Sequence, residues 1–148
     1  MIIYGKRVII SWICTTLVMF GLSYLWHGLF LNDYNLISYS KVVYFSFATV
    51  AYIFIGFLVT RAYSLPFFDK TSSNSILRGF WVGFSCGILV SILATTVNIS
   101  FNKSHDLKYL IFDLTWQGIE QGIGGLIVGF VYVLVYESKG SRAIEEEK

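Results

Sequence analysis

The sequence predicts an all-α protein, a polytopic transmembrane four-helix bundle, on three observations. Mean hydropathy is +0.66, and 55% of the 148 residues are hydrophobic against 14% charged, a balance that fits a water-soluble domain poorly. The charges fall between four long apolar runs, each near the roughly 20 residues that a helix needs to cross about 30 Å of hydrocarbon. Those runs are apolar on nearly every face and interrupted by glycine, whereas barrel strands would alternate polar and apolar residues.

The first span is expected at about residues 8–31. It follows Lys6-Arg7 and resembles a signal segment, but its apolar run is too long and no small-residue cleavage pattern precedes Asn32, so it is expected to be retained. Ser11-Trp12-Ile13 ahead of Cys14 lacks the small residue that lipidation requires. The second span is expected at 42–60, the third at 79–99 and the fourth at 109–135. An inner loop over 62–76 holds the single proline, Pro66, and the polar run from Asp69 to Ser75. The tail 140–148, ending Glu145-Glu146-Glu147-Lys148, reads as a solvated, frayed end. The whole chain is one membrane domain.

Lysines and arginines set the expected orientation. With the N-terminus inside, Lys6, Arg7, Arg61, Lys70, Arg78, Lys139, Arg142 and Lys148 lie on the inner side, against Lys41, Lys103 and Lys108 outside. Both termini are therefore expected to be cytoplasmic, in a bacterial cytoplasmic membrane. The net charge of +2 is too small to argue for nucleic acid. Cys14 and Cys86 sit in apolar runs without metal-ligand spacing, and no metal or cofactor is expected.

The fourth span carries most of the chemistry. At 100° per residue, Asp113, Gln117, Glu120 and Gly124 share one face. Glu120 lies about 16 Å below Tyr109, near the bilayer midplane, where an ionised carboxylate costs about 2.5–3.5 kcal/mol. It must face protein or water, or hold a proton. One reading makes Glu120 a polar tie between helices, with Gln117 and Gln121 beside it. The other makes it a proton carrier, with the glutamines positioning a solute and His27 and Asp113 lining the outer entrance. Asn98, Asp33, His105 and Asp106 are expected at similar depth to that entrance or just above it.

Gly118, Gly122, Gly125 and Gly129 fall almost opposite the polar stripe, a surface that admits another backbone and is poorly used against lipid. Two opposed non-lipid faces imply either a central helix or a second chain, and a homodimer seam is the favoured expectation. The third span repeats the device at Gly79, Gly83 and Gly87, continued by Ser91 and Thr95. Its neighbour could be the glycine face of the fourth span, which would weaken the dimer argument.

A metal site needs three or four converging ligands, and His27, His105 and nearby carboxylates lack the spacing. No nucleophile elbow, phosphate loop or dinucleotide fingerprint occurs, so an enzyme is not expected. Trp26-His27-Gly28 with Asp33-Tyr34, and Trp116 with Glu120-Gln121-Gly122-Ile123-Gly124-Gly125, resemble small four-span bacterial integral membrane proteins of unknown function. That resemblance implies four membrane helices and no assigned catalytic residue. The leading functional expectation is a non-catalytic binding or assembly role, with the bilayer and a second copy or another membrane protein as partners. The alternative is a dimeric proton- or ion-coupled transporter of a small solute acting through Glu120.

Overall fold

The computed structural model describes residues 5–35, 40–101 and 107–135. Among them are four α-helices and no strand: α1 (Lys6–Ser23), α2 (Lys41–Tyr63), α3 (Ser75–Phe101) and α4 (Leu107–Leu134). All four are long and apolar enough to cross a membrane. Residues 136–148 and 102–106, with His105 and Asp106, lie outside the described residues, as do the side chains of Asp33 and Asn98.

The distribution of side chains is the reverse of a soluble bundle. Leu17, Phe47, Phe54 and Leu93 are each more than 60% exposed in mid-helix, while Ser11, Thr15, Thr60, Glu120 and Gln121 are fully buried. Outward hydroxyls are satisfied locally: Ser46, Thr49, Thr96 and Thr115 each donate to the carbonyl four residues back, at 2.7–2.9 Å. This arrangement suits a hydrocarbon surrounding, which neither penalises exposed apolar groups nor hydrates exposed polar ones.

The first span is not one uniform helix, as the sequence reading had it. After Ser23 the chain widens into a π-helical segment, Tyr24–Phe30, in which the Leu31 amide donates five residues back to the Trp26 carbonyl at 2.9 Å. An extra residue per turn rotates the following side chains relative to an α-helix. Asn32, with φ of 56°, then ends the segment in the left-handed conformation that asparagine tolerates, and its Oδ1 accepts from Asn35 Nδ2 at 2.8 Å. α3 starts four residues before the expected span because Asn74 caps it, its Oδ1 accepting from the Ile76 and Leu77 amides at 2.9 and 3.2 Å.

α4 is the central helix. Fully 50% of its apolar stretch is buried, against 22%, 17% and 28% for the stretches beginning in α1, α2 and α3. Its most extensive contact is with α3. A Cβ on Gly79, Gly83 or Gly87 would collide with the carbonyl oxygens of Gly125, Gln121 and Gln117 respectively, and one on Gly125 or Gly129 with those of Gly79 and Ser75. The two backbones are therefore in direct contact. Beside that line, Phe84 and Phe80 of α3 lie over Gly118 and Gly122, where an added Cβ would come within 2.9 and 2.8 Å of the rings. The surface that suggested a homodimer seam is thus covered by α3 of the same chain, and the glycines no longer argue for a second copy.

Gly124 faces the other way. A Cβ there would meet the Met19 sulfur of α1 at 2.6 Å, and Thr15 Oγ1 donates to the Gly124 carbonyl at 3.0 Å. At one end of the bundle the start of α1, the end of α2, the start of α3 and the end of α4 converge: Arg7 Nε donates to the Val135 carbonyl, Tyr63 Oη to the Ser75 carbonyl at 3.2 Å, and Ser64 Oγ and Tyr132 Oη lie 2.9 Å apart. Val59, Tyr63, Val82 and Val128 form the buried apolar cluster just inside this end.

These contacts set two glycine substitutions apart. Gly83→Ala drives a methyl into backbone and should lower stability by about 1–3 kcal/mol. Gly21→Ala, with nothing within 4 Å of the new carbon, should be neutral or stabilising by up to about 1 kcal/mol. Thermal unfolding in detergent, with helix content as the readout, checks the order.

Candidate functional site

Glu120 lies at the junction of α4 with α1 and α2 and is fully buried. Tyr52 Oη donates to Glu120 Oε1 at 2.7 Å, and Trp116 Nε1 donates to Oε2 at 3.1 Å. Among the described residues each oxygen thus has one donor, and neither donor is a cation. Trp116 is one turn before Glu120 on the same face, so α4 supplies both groups by its own periodicity. Tyr52 comes from α2 across the bundle.

Aromatic packing fixes both donors. Trp116 stacks on Trp26 with ring centroids 3.9 Å apart and planes 9° from parallel, and Tyr52 meets Phe20 edge-on at 5.8 Å. Trp26 belongs to the π-helical segment, so the widened turn supplies the platform on which the Trp116 indole rests. Ser23, buried on α1, lies beside the Tyr52 hydroxyl. Thr16 Oγ1 donates to the Tyr52 carbonyl at 3.5 Å, and Trp12 Nε1 to the Ile53 carbonyl at 2.8 Å. These bonds hold α2 against α1 at the level where Tyr52 reaches Glu120.

The sequence-derived candidates separate into two groups. His27, half-buried in the π-helical segment, and Asp113, exposed two turns before Glu120, both lie within electrostatic reach of the Glu120 carboxyl. Gln117 and Gln121 make no hydrogen bond to it. Their carbonyls instead line the α3 seam, against Gly87 and Gly83. Gln121 is fully buried, and neither end of its amide has a hydrogen-bond partner among the described residues. Ser11 Oγ and Thr60 Oγ1 are likewise buried without partners there.

Sequence reasoning missed Tyr52 and Ser23, and it named Trp26 and Trp116 only within a resemblance, without a role at Glu120. Tyr52 is a tyrosine in mid-span rather than at a span end, where an aromatic hydroxyl needs a buried acceptor. Ser23 continues the row Ser11, Thr15, Met19, which is the buried face of α1. Both signals were present in the sequence, but neither names its partner.

Chemically, a tyrosine hydroxyl can donate to a carboxylate or accept from a carboxylic acid, whereas the indole N–H can only donate. The site therefore accommodates Glu120 in either protonation state by rotation of one O–H. Comparison of the chain with protein-family models, curated proteins and solved structures finds no match.

Two substitutions probe this centre. Tyr52→Phe leaves Glu120 Oε1 without its donor and should cost about 1–3 kcal/mol, part of it recovered in the Tyr52→Phe/Glu120→Leu double variant, where the buried acceptor is gone but the Trp116 N–H loses its partner. Gln121→Met removes an amide without partners among the described residues and should hold or raise stability, by up to about 2 kcal/mol. Midpoints measured in one detergent decide both.

Proposed function

We propose that the chain is a small multi-pass integral membrane protein with a non-catalytic binding or assembly role, set in a bacterial cytoplasmic membrane with both termini cytoplasmic. The observation that carries this reading is the sealed Tyr52–Glu120–Trp116 centre: the carboxyl ties α2 to α4 and has no exposed surface. The buried Thr15 hydroxyl is likewise spent on an interhelical bond. A bundle locked in this way presents fixed outer faces, and a partner, whether another membrane protein or a second copy, would meet the outward apolar surfaces of α1, α2 and α3. The lysine and arginine excess at the end where Arg7 and Arg78 lie supports the orientation.

A second reading is a proton- or ion-coupled transporter of a small solute, favoured by the dual donor and acceptor character of the Tyr52 hydroxyl on Glu120 and by His27 and Asp113 within electrostatic reach. A pathway in this reading would pass Gln121, whose amide offers unspent hydrogen-bonding capacity.

Glu120→Gln separates the two. In proteoliposomes carrying an imposed pH gradient, the assembly reading expects wild type and Glu120→Gln to dissipate the gradient no faster than empty vesicles, with Glu120→Gln retaining its fold. Dissipation by wild type that Glu120→Gln abolishes would establish the transporter instead. For orientation, Ser72→Cys in a Cys14→Ala/Cys86→Ala background should react with an impermeant maleimide only after the cytoplasmic face is opened.

A further inference from the structure

We infer that the cavity at the Arg7–Arg78 end of the bundle binds a phosphate-bearing anion. It has a volume of about 330 Å³ and is lined by Arg7, Tyr63, Ser64, Asp69, Arg78 and Tyr132, with Gly5 at its edge. That is enough for a phosphate together with the glycerol unit of a headgroup, and it lies within the size range of small-ligand sites.

The lining is electropositive. Among the described lining residues two guanidinium groups accompany one carboxylate, and the arrangement holds both guanidinium groups in place. Arg78 Nη1 donates to Asp69 Oδ1 at 2.8 Å, and the guanidinium lies 4.3 Å from the centre of the Tyr63 ring. Its Nε is buried with no hydrogen-bond partner among the described residues. Arg7 is fixed by its Nε bond to the Val135 carbonyl and lies 5.9 Å from the centre of the Tyr132 ring. Planar guanidinium groups anchored in this way suit the paired oxygens of a phosphate.

Two further features add to this. Gly5 opens α1, and no side chain of the described residues caps the first-turn amides there, so the positive end of an 18-residue helix adjoins the cavity. The Ser64 and Tyr132 hydroxyls, 2.9 Å apart, offer neutral donors on the same wall. All these groups sit where the four helices end, at the level of lipid headgroups if the bundle spans a bilayer. The ligand could be the phosphate of an anionic phospholipid or a free phosphate; the chemistry is the same. The site is separate from the Glu120 centre and does not depend on the role assigned to it.

The test is titration of the purified full chain in nonionic detergent with short-chain phosphatidylglycerol, the matching phosphate-free diacylglycerol, and inorganic phosphate, following the thermal midpoint and Kd. Phosphatidylglycerol should bind and diacylglycerol should not. Binding of inorganic phosphate at the same site would assign a soluble source, and its failure to bind beside phosphatidylglycerol would assign the lipid. Arg78→Gln and Arg7→Gln should each weaken the phosphate ligand about tenfold. Arg61→Gln, which alters an exposed arginine at the same end but outside the cavity lining, should leave Kd unchanged. Equal binding of diacylglycerol, no binding of either phosphate probe, wild-type Kd in both cavity variants, or an equal loss in Arg61→Gln would overturn the proposal. Arg7→Gln decides if Arg78→Gln does not yield folded protein.

Discussion

Direct backbone contact between α3 and α4 is the constraint on which the rest of the bundle depends. Where apolar solvent surrounds the helices, association gains little from hiding apolar surface and relies on close packing. Gly79, Gly83 and Gly87 of α3 meet the carbonyls of Gly125, Gln121 and Gln117, leaving no room for a side chain between the two helices. Because this contact occupies one side of α4, the opposite side is free to carry Glu120 toward α1 and α2. α4 becomes the hub, and the Glu120 centre is placed relative to it.

Placing a carboxyl at the hub carries an energetic demand that the surrounding helices meet. A buried carboxyl without partners is among the costliest groups a protein can hold. Tyr52 and Trp116 supply one donor per oxygen, and the Trp26 stack and the Phe20 edge contact restrict both donors to the geometry that reaches Glu120. The π-helical segment belongs to the same arrangement: it brings Trp26 over Trp116 and His27 into electrostatic reach of the carboxyl. Such segments concentrate where function overrides regular packing. Gln121 has no such provision, and its unpartnered amide is a local departure from the rule that buried polar groups are paired.

Much of the architecture was legible in the residues. Run length and composition pointed to four helices, and a step of four residues put Gly79, Gly83 and Gly87 on one face and Glu120 opposite Gly118 and Gly122. The same periodicity could not say what covers the glycine face: two opposed non-lipid faces fit either a central helix or a dimer seam, and only the packing of α3 distinguishes them. The π-helical turn after Ser23 was not legible either, because the aromatic residues, His27 and Gly28 of Tyr24–Phe30 weaken a helix without saying that its hydrogen bonds shift from four residues back to five.

By itself, the sequence determined that four stretches are long and apolar enough to cross a membrane and that Glu120, inside the fourth, falls on the face opposite Gly118, Gly122, Gly125 and Gly129. Both follow from local quantities, the length of an apolar run and the angular position of a residue on a helix. Tertiary structure alone decided what shelters the carboxyl. Tyr52 lies 68 residues from Glu120, and the pairing depends on which helices are neighbours and in what register they cross. Neither is written in the periodicity of one helix; both emerge from the fit of glycine backbone against glycine backbone and of rings against the remaining space.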